Sequence, residues 1–196
     1  MSRIILASAS PRRLALLADL DVAPVVRPAD VDETPTAGEG PDSLAARLAA
    51  AKARAVDREP DDLVIAADTV VAVAGTILGK PEDDADARRM LGLLSGTAHH
   101  VITGVHVIRG DEERCAIART AIRFRPVSTR EIADYVATGE PMDKAGAFAI
   151  QGLAADFVER IDGSHSNVVG LPLDLVARLA GEVGVPLTRQ PVAELP

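Results

Sequence analysis

Two arginines stand in the first turn of a predicted helix, where local electrostatics disfavours them. Ser10 precedes Pro11, Arg12 and Arg13, and a serine followed by a proline is typical of a helix N-terminus. That end of a helix carries partial positive charge, so two adjacent cations are unfavourable there unless an anion binds. Free backbone N–H groups and two guanidinium groups together suit a polyanion such as triphosphate. The alternative is a pair of solvated arginines at an ordinary helix start.

A carboxylate at the end of an apolar run is the second candidate. Residues 63–67 are continuously apolar and Asp68 follows them directly, which is typical of a central strand. Ligands of open α/β sheets bind at the carboxyl ends of strands, so Asp68 could bind a divalent cation or deprotonate water. A solvated or hydrogen-bonded aspartate is the alternative. Because an unpaired buried carboxylate is costly, its apolar neighbours favour a functional role.

An acidic loop and two lysines could extend this site. Asp30, Asp32 and Glu33 offer carboxylate oxygens that hard cations prefer, although a solvated acidic loop is the commoner case. Lys80 follows a glycine, but a proline stands where a Walker-type phosphate loop needs serine or threonine, so that motif is rejected. Lys80 could still present a cation to phosphate. For Lys52, one turn after a leucine, extension of its stem over the core is the alternative.

An amide closes the set of candidates. Residues 143–152 place two glycines around an apolar segment that ends in Gln151. A glutamine carries one donor group and one acceptor, so it could bind the edge of a nucleobase. A structural turn is the alternative interpretation. The four histidines show no zinc-site spacing with cysteine or carboxylate residues.

The elements that must position these residues alternate between strands and helices. Strands are predicted over residues 3–7, 63–74, 101–109, 115–125 and 157–161. Helices are predicted to begin near residues 11, 42 and 82 and to cover residues 128–138 and 171–183. Asp42 is the predicted N-cap of the second helix. The second arm of the central hairpin alternates in polarity, so one of its faces is expected to contact water. No repeat or linker interrupts the chain, which predicts one mixed α/β domain over residues 1–196.

The amino-acid composition disfavours several classes of binding partner. The 196 residues are 47% hydrophobic and 26% charged, which suits a folded domain, and only 2% aromatic without tryptophan, which disfavours stacking a base between rings. A net charge of −8 argues against a nucleic-acid or anionic membrane surface. The longest apolar stretch, residues 63–78, is interrupted by Asp68 and is too short to span a membrane. With a single cysteine, Cys115, the chain is expected to be cytoplasmic.

Taken together and in order, these segments resemble the Maf family of nucleotide pyrophosphatases. The matching stretches are residues 6–13, 67–69, 78–81, 94–96, 140–146, 150–152 and 169–172. The resemblance implies an α/β fold with a mixed sheet in two lobes around a central cleft, related to the inosine triphosphatases. It also implies a homodimer that hydrolyses a nucleoside triphosphate between the α and β phosphates with Mg²⁺ or Mn²⁺.

Site residues follow from the same resemblance. Asp68 matches the catalytic acid–base position and, with Glu33, the metal position. The positions that contact substrate match Ser8, Ser10, Arg12, Arg13, Lys52, Thr69, Lys80 and Gln151. Of these, Arg12, Thr69 and Gln151 are similar to the specificity positions of the dTTP/UTP branch, whereas the 7-methyl-GTP branch would have tryptophan, glutamine and glutamate.

One departure from the branch and one competing function remain. This chain has Phe148 and Ala149 where the branch usually has tyrosine and glycine, so the base pocket near Gln151 is expected to differ in detail. Because the family is linked to arrest of septum formation, a nucleotide-binding regulator of division without turnover is the alternative. Retention of Asp68 beside a cation cluster favours an enzyme, since binding alone needs no base.

Overall fold

A seven-stranded mixed sheet forms the centre of the computed structural model, which describes residues 3–187. The strands are β1 (Ile4–Leu6), β2 (Val25–Val26), β3 (Leu63–Val73), β4 (Thr76–Leu78), β5 (Ala98–Arg109), β6 (Glu112–Phe124) and β7 (Val158–Asp162). Their order is β2-β1-β3-β5-β6-β7, with β4 also paired to β3. Strand β1 runs parallel to β2 and β3, and the remaining pairs are antiparallel. The predicted mixed sheet is confirmed.

The helices occupy both faces of this sheet. They are α1 (Pro11–Ala18), α2 (Pro41–Ala55), α3 (Asp84–Leu94), α4 (Thr129–Val136), α5 (His165–Val169) and α6 (Leu173–Glu182), and 3₁₀ turns cover Glu140–Asp143, Ala145–Ala147 and Leu153–Phe157. Ser10 caps α1 by accepting a hydrogen bond from the Arg13 N–H, as predicted. The predicted cap of α2 is wrong: Gly40 precedes the helix, and Asp42 in its first turn pairs with Arg119 instead.

Strand β3 is buried over almost its whole length because helices cover both of its faces. Side chains alternate between faces along a strand. On one face β3 packs against α2, whose close approach requires Gly104 on β5: a Cβ there would lie 2.4 Å from the carbonyl oxygen of Ala45. On the other face two separate apolar clusters form, one with α1 and α6 and one with α3 and α4.

The middle of β3 has an open edge. Along one edge β3 pairs with β5 over residues 64–72, and along the other it pairs with β1 over 63–65 and with β4 over 71–73. Residues 67–70 therefore lie in the gap between β1 and β4. Asp68 and Thr69 lie in this gap with their side chains on opposite faces of the sheet.

Several boundaries differ from the sequence-based expectation. The hairpin arms begin earlier, at Ala98 and Glu112, and the short elements β4 and α5 were not predicted. The expectation that one face of β6 contacts water is confirmed, since Thr120 and Ile122 are buried while Arg119 and Arg123 on the other face are exposed. Within residues 3–187, no helix is long and apolar enough to cross a membrane. The segment from Pro186, which follows the last predicted helix and is expected to be loosely held, lies almost wholly outside the described residues.

Candidate active site

Lys52 stands at the centre of the site as the shared partner of two carboxylates. It belongs to α2, the helix that covers the Asp68 face of β3. Its ammonium lies 2.5 Å from Asp68 Oδ1 and 2.5 Å from Glu33 Oε1, and the Lys52 side chain is only 11% exposed. The interpretation in which Lys52 merely extends over the core is therefore wrong. Of the acidic loop, Glu33 reaches this cluster, whereas Asp32 accepts a hydrogen bond from the Thr34 N–H.

The two carboxylates titrate differently because their surroundings differ. Burial raises the pKa of Asp68, although the charge and hydrogen bond of Lys52 oppose that effect. Burial alone would also raise the pKa of Glu33, but the hydrogen bond and charge of Lys52, aided by Lys80, outweigh it, and the net shift is downward. A carboxylate with a raised pKa is the better proton acceptor. Asp68 is thus the stronger general-base candidate of the pair.

Arg13 lies on the face of the sheet opposite Asp68, where it contacts Thr69. Its guanidinium donates to Ser8 Oγ at 3.1 Å, to Thr69 Oγ1 at 3.1 Å and to the Gly170 carbonyl at 2.8 Å. Burial lowers the pKa of Arg13, and the Asp68 carboxylate opposes that shift. The group stays charged because an arginine begins far above neutral pH. Its three fixed partners hold the cation in one orientation while leaving other N–H groups available for an anion.

A row of polar groups that sequence reasoning missed supports Thr69. The Thr69 hydroxyl lies 3.0 Å from the Thr103 hydroxyl, which donates to the Asn167 carbonyl at 3.3 Å. Thr103 and Asn167 are fully buried. Thr69, predicted to contact substrate, is itself committed to hydrogen bonds with Arg13 and Thr103. No sequence pattern pointed to Thr103, because a threonine inside a long strand is ordinary.

The segment between β1 and α1 contributes two serines and a second arginine. Ser8 is buried, and its hydroxyl accepts from the Ser10 N–H at 3.2 Å as well as from Arg13. The Ser10 hydroxyl is used as the helix cap. Arg12 is about one-third exposed and lies 3.7 Å from the Asp143 carboxylate. Ser8 and Arg13 are therefore part of a hydrogen-bonded cradle, whereas Arg12 lies near a carboxylate that is itself largely exposed.

The remaining predicted residues lie at the rim. Lys80 is exposed after β4, and its charge acts on Glu33. Gln151 is exposed in a turn that begins at Ala149. Phe148 is buried, with its ring 5.2 Å from Phe124, so the residue that replaces the branch tyrosine lies in the core. Direct contacts thus join Glu33, Lys52 and Asp68 in one group and Ser8, Ser10, Arg13 and Thr69 in another, and Arg12, Lys80 and Gln151 lie outside both groups.

A divalent cation fits the donor set without a protein cage. Within residues 3–187, no group of three or more His, Cys, Asp or Glu side chains is placed to hold a metal. Two carboxylates, Asp68 and Glu33, nevertheless face one cation, the Lys52 ammonium. Mg²⁺ is commonly held by one or two carboxylates together with phosphate oxygens of a substrate. Asp68 and Glu33 therefore suit a metal that arrives with a polyphosphate.

Comparisons with known proteins point to one family. Residues 3–183 match the family model described as Maf-like protein. The dTTP/UTP pyrophosphatase of Anaeromyxobacter sp. (strain Fw109-5) is 54% identical over 190 residues, which cover 94% of this chain and 91% of that protein. The dTTP/UTP pyrophosphatase of Symbiobacterium thermophilum is 50% identical over 188 residues, which cover 95% of this chain and 97% of that protein.

Two solved structures share the fold. The Ham1 protein of Staphylococcus aureus has a TM-score of 0.52 at 18% identity, covering 92% of this chain and 100% of that chain. The HAM1 protein of Coxiella burnetii has a TM-score of 0.51 at 17% identity, covering 93% and 100%. Likeness at this level of identity concerns the fold, and it agrees with the predicted mixed α/β class.

Proposed function

The chain belongs to the Maf family, and we propose from that premise that it hydrolyses dTTP and UTP to the nucleoside monophosphate and pyrophosphate. Curated relatives that are 50–54% identical over nearly the full chain carry this activity in their names. The observation that carries the proposal is the pairing of Lys52 with Asp68 beside the Arg13 cradle. A buried carboxylate next to fixed cations suits hydrolysis of a polyanion.

The proposed division of labour follows the geometry. Arg13 and Lys52 lie on opposite faces of the β3 gap and, with Arg12 and Lys80 at the rim, balance the charge of the triphosphate. Asp68 accepts a proton from water as the water oxygen bonds to the α-phosphorus. The bond from that phosphorus to the bridging oxygen breaks, and pyrophosphate leaves. Ser8 serves as a phosphate contact and as the support of Arg13.

We further propose that a divalent cation, Mg²⁺ or Mn²⁺, takes part. Asp68 and Glu33 would hold it together with phosphate oxygens, and it would supply charge neutralisation at the phosphates. Because both carboxylates contact Lys52 in this structure, metal binding must compete with the ammonium or share the pair with it. Activity should therefore vanish in excess EDTA and return with added Mg²⁺ or Mn²⁺.

We propose that three residues select the pyrimidine base, with Gln151 as the one that binds its edge. The pyrimidine edge of thymine and uracil offers an acceptor at O4 beside a donor at N3, and the Gln151 amide offers the complementary pair. Arg12 and Thr69 are the other proposed contributors. Of the two, Thr69 has the more constrained side chain, since its hydroxyl is bonded to Arg13 and Thr103. We also propose that the protein is a homodimer and is located in the cytoplasm.

The test is a panel of dTTP, UTP, CTP, GTP and 7-methyl-GTP with Mg²⁺ or Mn²⁺, scored for monophosphate and pyrophosphate. Asp68→Asn should lower the rate on dTTP about 10²–10⁴-fold, which is the usual worth of a general base. Asp62→Asn is the matched control, because Asp62 is also buried but pairs with Arg3. It should lower the melting temperature and keep the turnover. Binding of dTTP without turnover by the wild-type protein would instead support the regulator of division.

A further inference from the structure

The turn that presents Gln151 is short, and one of its two central residues is buried in the core. Its closing hydrogen bond runs from the Gly152 N–H to the Ala149 carbonyl at 3.1 Å. Of the two central residues, Ile150 is buried in the apolar core and Gln151 is exposed. The Gln151 side chain is exposed, so the position of its amide depends on the position of the turn backbone. The two central residues do not by themselves fix that backbone.

Two side chains from α4 and the following 3₁₀ turn hold both ends of this segment. The Tyr135 hydroxyl accepts from the Ala149 N–H at 3.2 Å and donates to Glu140 Oε1 at 2.8 Å. The other oxygen, Glu140 Oε2, accepts from the Leu153 N–H at 3.3 Å. One hydroxyl–carboxylate pair thus binds the backbone immediately before and immediately after the residues that flank Gln151.

The absence of a side chain at position 152 belongs to the same arrangement. A Cβ at Gly152 would lie 2.3 Å from Glu140 Oε1 and 2.5 Å from its Cδ. The backbone there is extended, with φ −115°, so any residue could adopt the conformation. A side chain at this point would displace the Glu140 carboxylate, so glycine lets that carboxylate pack directly against the turn.

Tyr135 is itself rigidly placed. It is buried, with 4% of its surface exposed, and its ring packs edge-on against Phe157 at a centroid distance of 5.4 Å. Burial and the neighbouring Glu140 carboxylate raise the pKa of the Tyr135 hydroxyl, so that it stays protonated and continues to donate. The pair is therefore fixed to the core formed by α3 and α4, and it transmits that position to the turn.

We infer that Tyr135 and Glu140 are positioning residues for base recognition, which hold the turn so that Gln151 meets the pyrimidine edge. The inference rests on the proposed function, because it takes Gln151 as the residue that binds the base. It adds two residues that do not touch the substrate and act through the backbone of residues 149–153.

The experiment is a double-mutant cycle between Tyr135→Phe and Gln151→Ala, with kcat and KM measured on dTTP. Tyr135→Phe keeps the ring and removes the hydroxyl, which leaves the Ala149 N–H without its acceptor. It should lower kcat/KM about tenfold, mainly by raising KM, as expected for one displaced or lost buried hydrogen bond. On the Gln151→Ala background the same change should have an effect below about twofold. Equal losses on both backgrounds, or a loss confined to kcat, would overturn the inference.

Two further variants separate positioning from general stability. Ser95→Ala is the matched control, since the Ser95 hydroxyl also bridges backbone groups, the N–H and carbonyl of Val127, but away from the turn. It should lower the melting temperature and leave KM unchanged. Should Tyr135→Phe fail to fold, Glu140→Gln keeps the shape and must show the same dependence on Gln151. A wild-type protein without turnover would overturn the proposed function, whereas normal turnover with an unaffected Tyr135→Phe would overturn this inference alone.

Discussion

Replacement of Lys52 by methionine tests the electrostatic core of the site. Methionine keeps the length and the apolar stem of the side chain and removes the ammonium. In the wild-type protein that ammonium lies 2.5 Å from Asp68 Oδ1, and the two side chains are only 11% and 10% exposed. Glu33, the other partner, is 52% exposed and can be hydrated. The variant therefore leaves one buried carboxylate, Asp68, without its neutralising partner.

The loss of unfolding free energy in Lys52→Met depends on pH, and the direction of that dependence follows from the protonation of Asp68. Removing one partner of a buried ion pair typically costs about 3–5 kcal/mol when the remaining group is charged. Asp68 can escape that cost by binding a proton, and its pKa, already raised by burial, rises further without Lys52. A group whose folded-state pKa is raised keeps its stability at low pH and loses it as pH rises. Relative to wild type, the loss should thus be small below the folded-state pKa that Asp68 has in the wild-type protein, grow by about 1.4 kcal/mol per pH unit above that pKa, and level off above the higher pKa of the variant.

Urea unfolding of the wild-type protein and Lys52→Met at pH 5, 6, 7 and 8 measures how the loss of stability depends on pH. EDTA is included so that no divalent cation replaces the ammonium, and no substrate is present. Lys80→Met is the matched control: the same change at an exposed lysine should alter the free energy of unfolding by no more than about 0.5 kcal/mol at every pH. A loss for Lys52→Met that is equal at pH 5 and pH 8 would refute the reasoning, because a packing defect has no such pH dependence.

Three other perturbations follow from the structure. Arg13→Ala should lower kcat/KM for all triphosphates alike and also lower the melting temperature, because Ser8 and Thr69 lose a shared donor; a change in the ratio of dTTP to GTP hydrolysis larger than the fall in rate would contradict this. Gln151→Glu should lower kcat/KM on dTTP and UTP at least about tenfold, since a carboxylate offers acceptors only, and an unchanged value would remove Gln151 from base recognition. Burial lowers the pKa of His99 from 6.5 to about 4, so the unfolded state binds the proton more tightly. Stability should be full above pH 6.5 and fall by about 3 kcal/mol as the pH drops through 4, and His99→Leu should flatten that curve in urea titrations.

The sequence determined the class of fold and most of its elements because their signals are local. Ser10 before Pro11 marks the start of α1, and the continuous apolar run into Asp68 marks a strand covered on both faces. Periodicity and capping chemistry act within a few residues, so they can be interpreted without tertiary contacts. The predicted cap of α2 was wrong because a long-range contact intervened. Aspartate is a common N-cap residue, but Asp42 pairs with the distant Arg119 instead.

The sequence also selected the residues with chemistry, whereas only the tertiary structure decided how they are grouped. Lys52 and Asp68 are 16 positions apart and Lys52 and Glu33 are 19 positions apart, and nothing local required one ammonium to join both carboxylates. Asp68 and Thr69 are adjacent in sequence, yet they lie on opposite faces of β3, because side chains alternate along a strand. The gap between β1 and β4 in which both residues lie follows from the order of the strands. The tyrosine and glutamate behind Gln151 became visible only when the fold brought α4 against that turn, since long-range contacts leave no periodic trace in the chain.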